Sequence, residues 1–118
     1  SLPAGWRPVS PRLLVRTDSH PVGQTIAAGF TSLAPGFVTW LHAQGVELIA
    51  IDTPSVDAFD DHDLPVHHEL LSLGMTWIEG LHLVEAAPGT YHMIALQIPL
   101  TGVEAAPVRV VLRAIAND

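Results

Sequence analysis

Cysteine is absent from the 118 residues of the sequence. Its absence excludes disulfide bonds, thiolate nucleophiles and sulfur-ligated metal ions, and it leaves histidine and carboxylate as the strong metal ligands available. The chain has seven histidines and twelve acidic residues. Any metal site in this chain must therefore be built from imidazole and carboxylate groups.

Charged residues are scarce as well. They make up 14% of the chain, against 48% for apolar residues, whereas roughly a quarter of an ordinary soluble domain is charged. Five basic residues face twelve acidic ones and give a formal net charge of −7, which repels a phosphate backbone and argues against a nucleic-acid partner. So little charge on a small domain indicates a covered surface. We expect a homo-oligomer such as a homodimer, a further segment packed on the domain, or both.

Long hydrophobic runs are also missing. No stretch approaches the roughly 18 uninterrupted apolar residues of a membrane span, and the amino terminus lacks the basic-then-apolar pattern of a secretory signal. We therefore expect a soluble, cytoplasmic protein without a membrane partner. The length fits one domain, predicted over residues 1–118, and the start at Ser1 without methionine fits a boundary inside a longer protein.

Strands alternate with helices along the chain. Pro35 and Pro65 suit first helical turns, Ser32 suits an N-cap, and Gly45 and Gly74 suit helix ends. The pattern predicts helices from about 35 to 44 and from 65 to 73, a helical turn near 83–86, and strands over 12–17, 46–51, 75–79, 90–99 and 108–115. This order predicts an α/β fold with a mixed, mostly parallel sheet, helices packed on it and 90–99 as a central strand.

Three positions in this pattern are candidates for shared chemistry. Asp52 follows the strand 46–51, His67 and His68 lie in the first turn of the next helix, and Glu79 ends the strand 75–79. The ends of parallel strands and the starts of the following helices gather at one edge of an α/β sheet, so these side chains are expected to converge. Imidazole and carboxylate oxygen suit zinc or manganese. Adjacent helical residues point about 100° apart, so only one of the two histidines is expected to face the site.

Structural roles without chemistry are the alternatives. A histidine at a helix start is often a surface residue, and a strand-end carboxylate is often a cap or an ion-pair partner. The consecutive acids within 60–63 suit a solvated loop, His42 suits an exposed or half-buried position, and His92 suits a hydrogen-bonded neighbour of the core. The chain has no G-x-S-x-G elbow, glycine-rich phosphate loop or cysteine–histidine pair, which removes several common enzyme classes.

Three motifs, in order and in register, resemble the carboxyl-terminal half of bacterial kynurenine formamidases, a branch of the cyclase-type metal-dependent hydrolases. The motifs are Ile51-Asp52-Thr53-Pro54-Ser55-Val56-Asp57, Leu64-Pro65-Val66-His67-His68-Glu69-Leu70-Leu71 and Ile78-Glu79-Gly80-Leu81. Stretches 91–96 and 102–109 are similar to the closing strands of that family. The resemblance runs from about Arg12 to Arg113 and implies the swivelling β/β/α cyclase fold, truncated at the amino terminus.

The resemblance also implies an activity and a cofactor. The family hydrolyses N-formylkynurenine, a small-molecule amide, to kynurenine and formate in tryptophan catabolism, using zinc, often binuclear, or manganese. By resemblance His67 and Glu79 are metal ligands, while Asp52, Thr53 and Ser55 match a loop near the site. Family members carry a His-x-Gly-Thr-His-x-Asp motif that supplies the other ligands and the catalytic histidine. This sequence lacks the motif, so no catalytic residue is assigned within it and the chain alone is expected to be inactive.

Two other functions stay open. One is a truncated or degenerate, non-catalytic module that oligomerises or binds a small molecule. The other is a hydrolase of the same broad family that acts on a different amide or on a lactone. Trp40 and Trp77 would suit an aromatic substrate pocket, although packing in the core is the commoner use of tryptophan.

Overall fold

The computed structural model describes residues 2–115, and the chain divides into two compact units between Glu85 and Ala86. The first unit contains strands β1 (Arg12–Val15), β2 (Leu48–Ile51) and β3 (Thr76–Ile78) and helices α1 (Phe37–Ala43) and α2 (Pro65–Ser72), and the second contains strands β4 (Tyr91–Gln97) and β5 (Val108–Ala114). The predicted α/β class is confirmed, and each predicted strand is present but shorter than predicted. The single domain over 1–118 stays a prediction.

The first unit is built on a parallel sheet in the order β1-β2-β3. Arg12 pairs with Leu48 at one end of the first ladder, and Ile49 pairs with Trp77 in the second. A helix connects each strand to the next, as parallel neighbours require. Crossovers between parallel strands are right-handed, and the two crossovers here run in the same direction across the sheet, from β1 to β2 to β3. Both helices should therefore lie on the same face of the sheet, which agrees with the contact between α1 and α2.

The hydrophobic core of this unit lies between the helices and the central strand β2. Its fully buried members include residues from α1, β2 and α2, namely Val38, Leu41, Ile49, Ile51, Val66 and Leu70. Burying an aliphatic side chain of this size contributes roughly 1.5–3 kcal/mol relative to leaving it exposed. The core therefore fixes both helices, and with them the loops that follow β2 and β3.

Both helices end at the glycines that the sequence indicates. Gly45 (φ 90°) and Gly74 (φ 68°) adopt the left-handed conformation. Beyond them the N–H of Val46 donates to the carbonyl of Leu41, and the N–H of Met75 donates to the carbonyl of Leu70, each at 3.0 Å. This closure satisfies carbonyls that a helix end leaves free. It also explains why β2 begins later than predicted, because Val46 belongs to the helix end.

The start of α1 differs from the prediction. Its N-cap is Gly36, without a local side-chain cap, so the prediction that Ser32 caps this helix is wrong. The carboxylate of Glu69, on α2, accepts hydrogen bonds from the N–H of Gly36 and the N–H of Thr39, each at 3.0 Å, and from the Thr39 hydroxyl. Burial alone raises the pKa of Glu69, but these bonds outweigh it and hold the pKa below its ordinary value. One helix thus supplies the cap of the other.

The second unit is an antiparallel ribbon, in which Tyr91 lies opposite Ala114 and Gln97 lies opposite Val108. Within residues 2–115, β4 pairs with β5 alone, so the prediction of a central strand over 90–99 is wrong. An apolar run indicates that the side chains of a strand will be buried, but it does not indicate whether the strand has one neighbouring strand or two.

One face of the ribbon is apolar and exposed. His92, Ile94 and Leu96 share this face, as their alternation predicts, and Val111 lies opposite Ile94. The exposed fractions are 53% for Ile94 and 65% for Leu96. His92 is also exposed, so its predicted place beside the core is wrong. A two-stranded ribbon is marginally stable by itself in water, and this face is therefore expected to be covered by protein.

The segment before the ribbon contains no helix among the residues described. The helical turn predicted near 83–86 is wrong, because the chain makes only a turn at 84–85. Leu83 is nevertheless buried, with 6% of its surface exposed.

Helices α1 and α2 have 7 and 8 residues, and no helix in the range 2–115 is long and apolar enough to cross a membrane.

The cap that Glu69 provides predicts the effect of removing it. Glu69→Ala leaves the N–H groups of Gly36 and Thr39 without their carboxylate, and we expect a loss of about 1–2 kcal/mol in the free energy of unfolding. Alanine is a slightly better helix former than glutamate, so the change in helix propensity stabilises the variant slightly and opposes the loss from the missing cap. Urea unfolding followed by circular dichroism measures the loss. Glu85→Ala, at an exposed turn position, is the control, and an equal effect of both variants would contradict the interpretation.

Candidate metal centre

The carboxyl-terminal edge of the parallel sheet collects the polar residues of the first unit. The chain leaves β2 at Ile51 and β3 at Ile78. The two exits are joined by backbone hydrogen bonds, since Gly80 N–H donates to the Thr53 carbonyl at 2.8 Å and Leu81 N–H donates to the Ile51 carbonyl at 3.1 Å. The residues that follow the two strands are therefore held beside each other, at the edge where α/β proteins place their sites.

His67 and Glu79 meet at this edge. His67 lies in the first turn of α2, and Glu79 follows the last residue of β3. The imidazole Nε2 of His67 is 3.5 Å from Oε2 of Glu79, with 22% and 25% of the two side chains exposed. The structure thus brings together the two residues that the sequence nominates as ligands, and it leaves both partly open to solvent.

The carboxylate of Glu79 is held in place by two donors. The N–H of Val56 donates to Oε2 at 2.8 Å, and the indole Nε1–H of Trp77 donates to Oε1 at 3.3 Å. The Trp77 ring also meets the His67 ring edge to face, with centroids 5.4 Å apart. Trp77 therefore contacts both candidate ligands while it packs against the core, and Trp40 packs against the core and stacks on Phe37.

Asp57 is a buried carboxylate beside the candidate ligands, at a position that sequence reasoning did not single out. Its side chain is 2% exposed, and its Oδ2 lies 2.7 Å from Nδ1 of His67. Its two oxygens also accept the N–H groups of Val66 at 2.8 Å and of His67 at 3.0 Å. Burial alone raises the pKa of Asp57, but the hydrogen bonds from His67 and Val66 outweigh it, so the pKa lies below its ordinary value.

A sequence signal for Asp57 does exist. It is the last residue of the first family motif, and it precedes a helix that has no side-chain cap of its own. An acidic residue shortly before an uncapped helix suits the unpaired N–H groups of that helix. The spacing alone does not tell which of the carboxylates at 52, 57, 60, 61 and 63 fills this role.

Asp52 faces away from the candidate ligands, which corrects the predicted convergence. Its carboxylate accepts the N–H and the hydroxyl of Thr17 at 2.9 and 2.7 Å and the N–H of Asp18 at 2.9 Å. These donors follow β1, on the side of the sheet opposite β3. Asp52 therefore ties the exit of β1 to the exit of β2. Thr53 is fully buried and donates its hydroxyl hydrogen bond to the Ser55 carbonyl at 2.9 Å.

The remaining predicted positions behave as surface residues. His68 is exposed, so His67 alone of the pair turns toward Glu79, as the 100° helical step predicts. His42 is exposed at the end of α1. Asp60, His62 and Asp63 are exposed and Asp61 is half-buried, in keeping with a solvated loop.

The spacing of His67 and Glu79 fits a shared ion. A zinc ion about 2.1 Å from an imidazole nitrogen and from a carboxylate oxygen, with a tetrahedral angle between them, sets those atoms about 3.4 Å apart. The separation in this chain is 3.5 Å, beyond the usual 2.7–3.2 Å of a direct hydrogen bond. Within residues 2–115, no three histidine or acidic side chains form a group that could hold a metal. The described residues therefore bring two candidate ligands together, His67 and Glu79.

The chain is similar in sequence to curated kynurenine formamidases. It is 42% identical over 106 residues to the kynurenine formamidases of Bordetella pertussis (strain Tohama I) and Bordetella bronchiseptica (strain RB50), covering 90% of this chain and 51% of each relative. It is 41% identical over 103 residues to that of Bordetella petrii, covering 87% of this chain and 49% of the relative. The chain thus spans about half the length of the curated relatives it matches.

The chain is also similar to solved structures. A potential metal-dependent hydrolase with cyclase activity matches with a TM-score of 0.63 and 32% identity, over 69% of this chain and 40% of that one. A predicted metal-dependent hydrolase from Bacillus stearothermophilus matches with a TM-score of 0.66 and 31% identity, over 74% and 42%. No protein-family model matches the chain. In sequence and in fold, this chain resembles about half of a bacterial kynurenine formamidase and has the fold of the cyclase-type metal-dependent hydrolases.

Proposed function

We propose that this chain is the carboxyl-terminal part of a metal-dependent amide hydrolase of the kynurenine formamidase type, and that His67 and Glu79 are two of its metal ligands. The observation that carries the proposal is the 3.5 Å between Nε2 of His67 and Oε2 of Glu79, a separation that suits two ligands of one ion. The similarity to proteins named kynurenine formamidase supports the substrate, N-formylkynurenine. The solved hydrolases support the need for a metal.

Zinc, in a mononuclear or binuclear centre, is our first choice of ion and manganese the second, because imidazole with carboxylate suits both. The ion supplies Lewis acidity that activates water and polarises an amide carbonyl. In this chain, His67 and Glu79 would hold the ion. Trp77 contacts the His67 ring and donates a hydrogen bond to Oε1 of Glu79. The net reaction adds water across the formyl amide and releases formate and the aniline. The missing His-x-Gly-Thr-His-x-Asp motif would contribute the other ligands and the proton shuttle.

The zinc site can be tested in the 118-residue chain by tryptophan fluorescence. Trp6→Phe with Trp40→Phe leaves Trp77, which touches both ligands, as the reporter. We expect zinc to change its emission with weak affinity, since two protein ligands leave most of the coordination to water. His67→Ala and Glu79→Gln should each abolish the change. His68→Ala removes the exposed neighbouring imidazole and should leave the titration unchanged; an equal loss in this control would contradict the assignment.

The activity can be tested by restoring a complete hydrolase. A chimera joins the amino-terminal half of the Bordetella pertussis relative to this chain, and formate release from N-formylkynurenine is measured with zinc and with a chelator. We expect turnover by the zinc-loaded chimera and none by the 118-residue chain. His67→Ala should reduce chimera activity by more than about 100-fold, the upper range for residues that only support a ligand. A folded, zinc-loaded chimera without turnover would contradict the activity, and turnover of another amide or a lactone instead would shift the substrate.

A non-catalytic association module is the second candidate function. The exposed ribbon face favours it, because Ile94, Leu96 and Val111 remain between 46% and 65% exposed in the single chain. Because this apolar face is exposed, we propose that the chain forms a homo-oligomer such as a homodimer. The cytoplasmic location stays a prediction. Sedimentation velocity combined with the zinc titration separates the candidates. A stable oligomer that binds no zinc would favour the module, whereas zinc binding through His67 and Glu79 favours the hydrolase.

A further inference from the structure

Asp57 is the buried carboxylate among residues 2–115, and the metal assignment gives it no role. It is 2% exposed and lies in the loop between β2 and α2. Its two oxygens accept three hydrogen bonds from the first turn of α2, all between 2.7 and 3.0 Å. Two of the donors are backbone N–H groups and the third is the imidazole of His67.

The two backbone bonds make Asp57 the cap of α2. The N-cap residue Leu64 provides no side-chain cap and adopts a left-handed conformation at φ 49°, which costs a non-glycine residue on the order of 1–2 kcal/mol. The Asp57 carboxylate satisfies the N–H groups of Val66 and His67 that the helix start would otherwise leave free. The carboxylate is therefore fixed relative to the helix and cannot follow the imidazole if the ring turns.

The third bond determines which imidazole nitrogen carries the proton. An ionised carboxylate only accepts hydrogen bonds, so Nδ1 of His67, 2.7 Å from Oδ2, must be the donor. A neutral imidazole has one N–H, so Nε2 then presents a lone pair. That lone pair is on the nitrogen that lies 3.5 Å from Oε2 of Glu79, and the Val56 N–H donates a hydrogen bond to the same oxygen.

We propose that Asp57 is a positioning residue, which holds the neutral imidazole of His67 in the tautomer protonated at Nδ1 and so keeps the Nε2 lone pair aimed at the cation position beside Glu79. The consequence for metal binding rests on the proposed function, whereas the tautomer itself does not. Trp77 assists by restricting the ring, because the indole and the imidazole are in a T-shaped contact with an interplanar angle of 85°. Residues that orient a ligand in this way typically alter affinity by about 10- to 100-fold when they are changed.

The test compares Asp57→Asn with Asp52→Asn in the 118-residue chain. Both replace a carboxylate in the segment after β2 that accepts hydrogen bonds from three donor groups, two of them backbone N–H groups and one a side chain. Asp52 bonds to Thr17 and Asp18 and has no bond to His67, so its loss reproduces the structural cost without touching the imidazole. His67→Gln identifies the His67 signals.

The first readout is the pair of nitrogen-15 shifts of the His67 ring, measured without metal at alkaline pH. We expect a protonated Nδ1 in the wild-type chain and in Asp52→Asn, and a shift toward protonated Nε2 in Asp57→Asn, where the amide can donate to Nδ1. Protonated Nε2 in the wild-type chain would overturn the proposal, and this result does not require the variant to fold. An unchanged tautomer in folded Asp57→Asn would overturn it as well.

The second readout is the zinc titration of the same variants. We expect Asp57→Asn to weaken zinc binding by about 10- to 100-fold, with Asp52→Asn close to the wild type. If the wild-type chain has the Nδ1–H tautomer but binds no zinc, the proposed function fails and the positioning by Asp57 stands. If zinc binds and Asp57→Asn keeps both the affinity and the tautomer, the positioning fails and the proposed function stands.

Discussion

The imidazole of His67 lies between two carboxylates that belong to different parts of the fold, and the site depends on that arrangement. Asp57 bonds to one nitrogen at 2.7 Å, and Glu79 lies 3.5 Å from the other. The short distance is a hydrogen bond, and the long one leaves space for a cation between two donor atoms. A surface histidine would have neither partner fixed. Here the N-terminus of α2 holds one carboxylate, while Val56 and Trp77 hold the other.

The parallel sheet makes this arrangement possible. Its core buries β2 under α1 and α2, and the exits of β2 and β3 are joined by backbone hydrogen bonds. The two helix starts share one feature: neither α1 nor α2 has a side-chain cap from its own N-cap residue. Glu69 caps α1 from a neighbouring helix, and Asp57 caps α2 from a loop. Since these caps come from distant residues, each also fixes the position of the element that supplies it.

Sequence reasoning predicts the parts of this structure that depend on local chemistry. Gly45 and Gly74 mark helix ends because the left-handed turn strongly favours glycine. The 100° helical step correctly separates His67 from exposed His68. The approach of His67 to Glu79 also follows, since strand ends and helix starts share one sheet edge. These inferences need only the order of residues and the geometry of single elements.

The features that sequence reasoning missed are those in which a side chain selects among several partners. Asp52 and Asp57 both follow β2, yet one bonds to Thr17 and the other to His67. Ser32 is a good cap by residue type, but α1 begins only at Phe37, and the packing of the two helices places Glu69 at its free N–H groups. The strand over 90–99 is apolar enough to be central, and its partner within residues 2–115 is β5 alone. In each case the residue type suits the predicted role, but the tertiary contacts determine the role that the residue has in the structure.

The proposed site requires one ion to bind both Nε2 of His67 and Oε2 of Glu79. Anomalous diffraction at the zinc absorption edge, from crystals of the chain grown with zinc, locates the ion directly. We predict an anomalous peak about 2.0–2.2 Å from both atoms, with Nδ1 of His67 still bonded to Asp57. Zinc bound only at exposed residues such as His62 and Asp63, with the space between His67 and Glu79 left without a peak, would contradict the account.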